Sequence, residues 1–512
     1  MDGVLRGLEV ATEPTNVLFV GIGVVIGMVI GVLPGLGPGA TIAMLLPLTF
    51  GLDPSTAVIM LAGIYYGSMY GGTITSVLLN LPGEATSVIT AIDGHAMAKQ
   101  GRAGPALGIA AIGSFVGGIV ASVALVVVSG PLASVASRFG PPEYAAVGIL
   151  GLALVTVLAS GSTAKALVMA GVGLLLATIG QDPISAEPRF TFGFVDLLGG
   201  LDFVPIVMGL FGVGDILHNL RHREPIALGK EKIGRALPTR SDLRQSTGAI
   251  GRGTAIGTAV GLVPGAGGTL SSMISYAVEK RWAKDPSRFG KGAIEGVAAP
   301  ETANNAGATS SFVPLLTIGI PANAAMALMF GALMMQGITP GPDLVDAHPD
   351  VFWGVIASMF IGNIMLLALN IPLVAVFIQL LRVPPGILAA TTVLVSLIGV
   401  YALNSSTTDM IVLVVASLVG YLLRKAGYEP SPLVLAFILG AILDKAFRTS
   451  LLMSDGSPTI FVSRPVSATI LGLGLVVILA QVVSGVRRKR AQHDATGQAA
   501  TSHIAEGRHS DV

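Results

Sequence analysis

The 512-residue chain has no cysteine, two tryptophans and only 12% charged residues. Without cysteine it has no disulfide, no thiolate nucleophile and no cysteine-held metal. Soluble domains carry about 25% charged residues, so an ordinary water-soluble fold is excluded. The net charge of +1 supplies no basic field for nucleic acid. HExxH and Walker A patterns are missing, so the chain carries no zinc-peptidase helix and no ATP-hydrolysing module of its own. The seven histidines fall mostly in loops or the C-terminal tail and read as solvated. Alternating segments of ~10 residues, the mark of a membrane β-barrel, are missing too. The N-terminus, MDGVLRGLEVATEPT, is net acidic and makes a poor signal peptide.

What is present is apolar. Hydrophobic residues make up 52% of the chain, and the mean hydropathy is +0.78. Many runs approach or exceed the ~18 residues that span a bilayer. Glycine (67) and proline (30) are abundant, as expected where membrane helices pack closely or break. These features predict an all-α polytopic membrane protein in a lipid bilayer, with about 11–12 transmembrane segments.

Four stretches are too broken to be plain membrane helices: GVLPGLGPG (31–39), GGTITSVLLNLPG (71–83), GLVPGAGGT (261–269) and PETANNAGATSSFVPLLTIGIPAN (300–323). The first resembles the third, and the second resembles GATSSFVPLLTIGIPA (307–322) within the last, with a small insertion. RFGPPE (138–143) resembles RVPPG (382–386). SGSTAKALVMAGVGLLLATIGQDP (160–183) resembles SSTTDMIVLVVASLVGYLLRKAGYEP (405–430). Four matches in one order predict an internal duplication. The expected division is a repeat over 1–218, a basic linker over 219–247, a repeat over 248–465, an extra helix over 466–486 and a disordered tail over 487–512.

Charge gives the repeats a hand, because cytoplasmic loops are enriched in Lys and Arg. The N-terminus is acidic where its counterpart, 219–247, is basic. Loop 93–104 carries Lys99 and Arg102, whereas its counterpart carries Asp343, Asp346 and Asp350. Lys165 stands opposite Asp409, and Asp182 with Glu187 stands opposite Arg424 with Lys425. Arg138 and Arg382 do not discriminate. The bias predicts two inverted-topology repeats with broken or re-entrant helices, the N-terminus outside and the C-terminus cytoplasmic. A parallel repeat is the alternative.

A helix broken inside a membrane exposes free N–H groups at one end and free C=O groups at the other. The first attract anions and the second cations. No Lys or Arg lies between Arg6 and Lys99, or between Lys291 and Arg382. An anion bound at the breaks must therefore be met by helix termini, backbone amides, hydroxyls, side-chain amides or a bound cation. Candidate substrate-binding residues are Gly35, Gly37, Gly72, Thr73, Thr75, Asn80, Gly265, Gly267, Gly268, Asn304, Asn305, Thr309, Ser310 and Thr317. The glycines serve the breaks architecturally as well, and the hydroxyls can instead join helices. Glu84 and Glu301 are candidates for ion coupling, since a carboxylate in a membrane is costly; the alternative is that each caps a half-helix or sits at the water interface. No metal set is legible.

The stretches 31–118, GLVPGAGGTLSSMISYAVEK (261–280) and PETANNAGATSSFVPLLTIGIPANAAMALMFGALMMQGITPGP (300–342) resemble the large membrane subunit of bacterial tripartite tricarboxylate transporters, the TctA family, and the resemblance runs from about residue 16 to 486. It implies a small membrane subunit of about four helices, a periplasmic solute-binding protein and an organic carboxylate substrate. It also implies residence in the bacterial inner membrane, no cofactor, and uptake driven by Na⁺ or H⁺. An ion or solute channel is the competing expectation, and an embedded enzyme is a third.

Overall fold

A computed structural model describes residues 2–33, 37–81, 84–158, 162–222, 237–263, 267–380, 385–476 and 478–479. The tail 487–512 and residues 223–236 of linker 219–247 lie outside the described residues. The first half runs α1 (Asp2–Thr12), α2 (Pro14–Val32), α3 (Pro38–Leu45), α4 (Pro54–Leu79), α5 (Val88–Lys99), α6 (Ala103–Ala136), α7 (Pro141–Leu158) and α8 (Thr163–Ala177). A hairpin of β1 (Gly180–Gln181) and β2 (Pro188–Arg189) follows, then α9 (Phe203–Val207) and α10 (Gly214–His222), joined by a π-helical stretch, Met208–Val213. This hairpin is the one sheet among the described residues.

The second half runs α11 (Arg240–Gly261), α12 (Gly267–Trp282), α13 (Glu295–Ser310), α14 (Phe312–Ile318), α15 (Ala324–Met335), α16 (Leu344–Ala347), α17 (Pro349–Leu380), α18 (Pro385–Asn404), α19 (Thr407–Lys425), α20 (Ser431–Met453) and α21 (Ile460–Ser463). Five helices among the described residues are long and apolar enough to cross a membrane, and six shorter apolar helices accompany them, including one over Pro465–Val476. The chain is an all-α polytopic membrane protein.

Local chemistry sets the helix starts. Pro14 and Pro54 open α2 and α4, where a missing N–H costs nothing. Asp53 caps α4 by accepting from Ser55 N at 2.9 Å. Thr239 and Asp242 form a reciprocal capping box that starts α11 at Arg240. The helix α1, which hydropathy does not reveal, lies along α17: Gly7 lets the two backbones meet at Trp353, and Arg6 pairs with Asp350.

The interior is built from small residues in register. Gly23, Gly27 and Gly31 of α2 face α4, and a Cβ added to them would stand 2.3, 2.4 and 2.2 Å from the carbonyl oxygens of Met60, Ile64 and Ser68. Gly63, Gly67 and Gly71 of α4 answer from the other side. The second half repeats the pattern: Gly253, Gly257 and Gly261 of α11 stand 2.5, 2.4 and 2.4 Å, by the same construction, from the carbonyl oxygens of Ala299, Ala303 and Gly307 in α13. Lipid tails supply no hydrophobic drive between helices, so close backbone contact of this kind must hold them together. The helices α4 and α13 end up as the buried axes of the fold.

This packing relocates two of the expected interruptions. The helix α4 runs unbroken through Gly71 and Gly72 and ends at Asn80, whose φ of 54° is left-handed. The helix α13 runs through Pro300 and Gly307, and only Ser311 separates it from α14. Hydroxyls of Ser272 and Ser275 donate to Pro300 O and Ala299 O at 3.0 Å, tying α12 to α13 around the proline. The true break is 319–323, opened by Gly319 at φ 80°. These glycines and the proline therefore serve helix approach, and the breaks proper are shorter than the motifs that announce them.

Candidate functional site

The breaks meet at the start of α12. Gly267 and Gly268 are buried there. A Cβ on Gly268 would stand 2.6 Å from Asn304 Oδ1 and 3.2 Å from Thr86 Cγ2. A Cβ on Gly267 would stand 3.4 Å from Asn323 Nδ2. One helix start thus faces α13, the turn 84–87 and the break 319–323. The contact at 267 is ordinary in length, and glycine is favoured there by its φ of 52°.

Asn323 is fully engaged. Its Oδ1 accepts from Met326 N at 2.9 Å, capping α15, and its Nδ2 donates to the Tyr65 hydroxyl at 3.0 Å. Asn304 is the opposite case. It is fully buried, and its amide lies close enough to the Glu84 carboxyl to interact with it but not at regular hydrogen-bond geometry. Burying an unpaired polar group costs about 1–3 kcal/mol, and such exceptions call for an explanation.

One helical turn from Asn304, Glu301 is also fully buried. Its Oε2 accepts from Thr73 of α4 at 2.7 Å, and its Oε1 accepts from Thr90 of α5. The Tyr70 hydroxyl lies near it without a hydrogen-bond partner. Glu84 is buried in the turn ahead of α5, where Oε1 accepts from Thr86 and its backbone O accepts from Ser87 Oγ at 3.0 Å. Gly72 makes room for Glu84: a Cβ there would stand 2.7 Å from Glu84 Cγ. Neither carboxylate has an ion-pair partner among the described residues.

Of the residues singled out in the sequence, Gly72, Thr73, Glu84, Gly267, Gly268, Glu301 and Asn304 are brought together. Others are placed apart or turned to their own helices. Thr75, Ser310 and Thr317 donate to the backbone oxygens of Gly72, Ala306 and Val313. Asn305 donates to Ser114 Oγ at 2.7 Å. Thr309 is buried on α13, Asn80 is exposed, and Gly37 caps α3 in open space. Gly35 and Gly265 lie outside the described residues. Sequence reading gave no role to Thr86, Thr90 or Asn323. Asn323 carried a signal, an Asn directly ahead of an apolar helical run; the threonines carried none.

Two cavities lie elsewhere. One of about 180 Å³ touches the break at Gly319 and is lined by Thr339–Asp343. One of about 550 Å³ opens between α8, α15 and α20. Asn304, Gly268 and Glu301 line neither.

Broken helices that converge on buried polar groups define a membrane protein built to handle a polar solute inside the bilayer. A family model described as the tripartite tricarboxylate transporter TctA family matches residues 17–435. The chain belongs to this family of transporters. It is 48% identical over 484 residues to an uncharacterised 52.8 kDa protein of the TAR-I ttuC' 3' region of Agrobacterium vitis, covering 94% of this chain and 96% of that one. It is 47% identical over 236 residues to a protein of the TAR-II ttuC' 3' region of the same organism, covering 46% of this chain and 98% of that one. No solved structure matches the chain.

Proposed function

We propose that the chain is the large permease subunit of a tripartite secondary transporter that imports tricarboxylates or related organic acids across the bacterial inner membrane. The observation that carries this reading is Asn304, buried against the start of α12 with no hydrogen bond of regular geometry. An anionic group there meets the free N–H groups of that helix and the Asn304 amide. Gly268 leaves the room that Asn304 fills, so the ligand enters where the Asn304 amide moves aside. The absence of Lys and Arg from 292–381 makes dipoles the natural holder of the charge. Of the other candidates, Thr73 and Gly72 adjoin this region through Glu301 and Glu84.

Glu84 and Glu301 take the coupling ion, Na⁺ or H⁺. Two buried carboxylates without a cationic partner need a compensating charge, and either ion supplies it. The partners in this reading are a small four-helix membrane subunit and a periplasmic solute-binding protein. The halves 1–218 and 248–465 are inverted repeats. Support comes from α8 and α19, which correspond in motif and run antiparallel: Lys165 at the start of α8 donates to Ala426 and Gly427 O beyond α19, while Thr408 at the start of α19 donates to Asp196 beyond α8. Orientation follows the basic loops, with Lys99, Arg102, Arg240 and Arg244 cytoplasmic. The bundle bearing the breaks moves against a scaffold of the remaining helices in an elevator-type exchange.

The test is uptake of labelled citrate and a panel of carboxylates into proteoliposomes holding the three components, under a sodium gradient and then a proton gradient. Saturable uptake that needs the gradient and the binding protein is expected, and it is expected to fall with Asn304→Ala. Unsaturable flux without the binding protein overturns the reading in favour of a channel.

A further inference from the structure

The segment between β2 and α9 carries RFTFGFV (189–195) at the surface. Phe190, Phe192, Phe194 and Val195 are 58%, 80%, 67% and 75% exposed, while Thr191 between them is buried. Phe190 and Phe192 have φ of 52° and 51°. A bulky residue at positive φ is a strained outlier, and such strain persists only where surrounding structure enforces it.

The enforcement is visible. Asp182 pairs with Arg448 of α20, and Arg189 Nη2 pairs with Asp444 at 3.0 Å. Asp196 accepts from Thr408 of α19 at 2.5 Å. Gln181 N donates to Leu198 O, and Asp182 N to Glu187 O, both at 2.9 Å. The base of the loop is thus tied to two helices by its charged residues. No charged residue lies between Arg189 and Asp196, so the tip is wholly apolar apart from one inward threonine.

The helices that adjoin the loop expose apolar surface. Leu167, Val168 and Leu175 of α8, the helix leading into the loop, are exposed. So are Ile411, Val414, Val415, Leu418 and Leu422 of α19, the helix that holds Asp196. Both faces read as lipid-facing in a bilayer. An apolar tip at the end of such faces, on a base held by ion pairs, has the layout of an interfacial anchor: rings in the headgroup–acyl boundary and charges in water.

We infer that the Phe190–Val195 tip inserts into the interfacial layer of the bilayer and fixes the depth of the α8–α9 corner. The occupant of this surface is phospholipid, at the glycerol and headgroup level.

The absence of native cysteine makes the test clean. Phe192→Cys and, as an exposed loop control, Lys284→Cys are labelled with an environment-sensitive fluorophore in the full chain, alone in phospholipid vesicles. Emission at 192 is expected to be blue-shifted relative to 284. Quenching by lipids spin-labelled near the headgroup is expected to be roughly twofold or more stronger at 192, and stronger than quenching by deep labels. Emission at 192 that matches 284 and ignores the spin-labelled lipids overturns the inference. So does a blue shift that arises only when a partner protein is added, which would make the tip a protein-docking face. Phe194→Cys repeats the measurement, so that failure of one variant to fold leaves the question decided.

Discussion

Thr73 of α4 donates a 2.7 Å hydrogen bond to Glu301 of α13 across 228 positions of sequence. This bond joins the buried axes of the two halves at a carboxylate that has no ion-pair partner among the described residues. If Glu301 carries the coupling ion, Glu301→Gln keeps its shape and one acceptor oxygen while holding its charge at zero; its NH2 group donates to the second threonine hydroxyl instead of accepting from it. Gradient-driven uptake is expected to fall at least about tenfold, while substrate exchange between loaded vesicles continues. Both assays run on one preparation, and driven uptake at the parental rate would remove Glu301 from coupling.

Asn304 makes no hydrogen bond of regular geometry, and its polar neighbour is the Glu84 carboxyl. Asn304→Ala is therefore expected to leave thermal stability close to parental, or slightly raised, because an unsatisfied amide is removed. Its cost falls on the ligand: half-saturation rises about tenfold or more, equivalent to about 1.4 kcal/mol. Asn304→Asp places a negative charge against the start of α12 and is expected to abolish binding of anions. Thermal unfolding with and without substrate separates the two effects. A large loss of stability in Asn304→Ala would instead make the residue structural.

The class of fold was legible because bilayer physics writes itself into composition: long apolar runs, few charges and paired Gly-Pro stretches. The glycines were harder. Gly71 and Gly307 sit inside motifs that read as helix breaks, yet both lie in helices pressed against a partner, and the four-residue spacing from Gly63 to Gly71 was the better guide. Glu301 and Asn304 stood out as polar groups in an apolar stretch. Thr90 and Thr86 did not, because ordinary threonines in α5 and its preceding turn acquire meaning only when the fold brings α13 beside them. The helix α1 was invisible to hydropathy, since it is short and holds its place through Trp353 and the Arg6–Asp350 pair.

Asp182, which lies outside the candidate membrane spans, gives a pH-dependent term. Hydrogen bonding to Arg448, then to the backbone of Ser185 and Ile184, holds its carboxyl well below the usual range. A group depressed in the folded state contributes stability that is present above its unfolded value of about 3.9 and is lost as pH falls through the folded value. Stability of the parental chain is expected to decline below about pH 4, whereas Asp182→Asn, which lacks this contribution at every pH, declines less steeply over the same interval. Unfolding midpoints in detergent across that range check it, and parallel slopes would deny Asp182 the role.

The small-residue register makes the most direct stability prediction. A Cβ on Gly27 meets the Ile64 carbonyl oxygen at 2.4 Å, and one on Gly257 meets the Ala303 carbonyl oxygen at 2.4 Å. Both neighbours are backbone, so the helices must separate. Gly27→Ala and Gly257→Ala are each expected to cost about 1–3 kcal/mol, as overpacking does. Gly171 of α8 is the control, since nothing lies within 4 Å of its added Cβ; there alanine is expected to be neutral or stabilising by up to about 1 kcal/mol through helix propensity. Unfolding in detergent by denaturant ranks the three. Equal effects at 27 and 257 would mark the two helix pairs as energetically equivalent, as a duplicated packing unit requires, and a neutral Gly27→Ala would mean that the α2–α4 contact is looser than its geometry states.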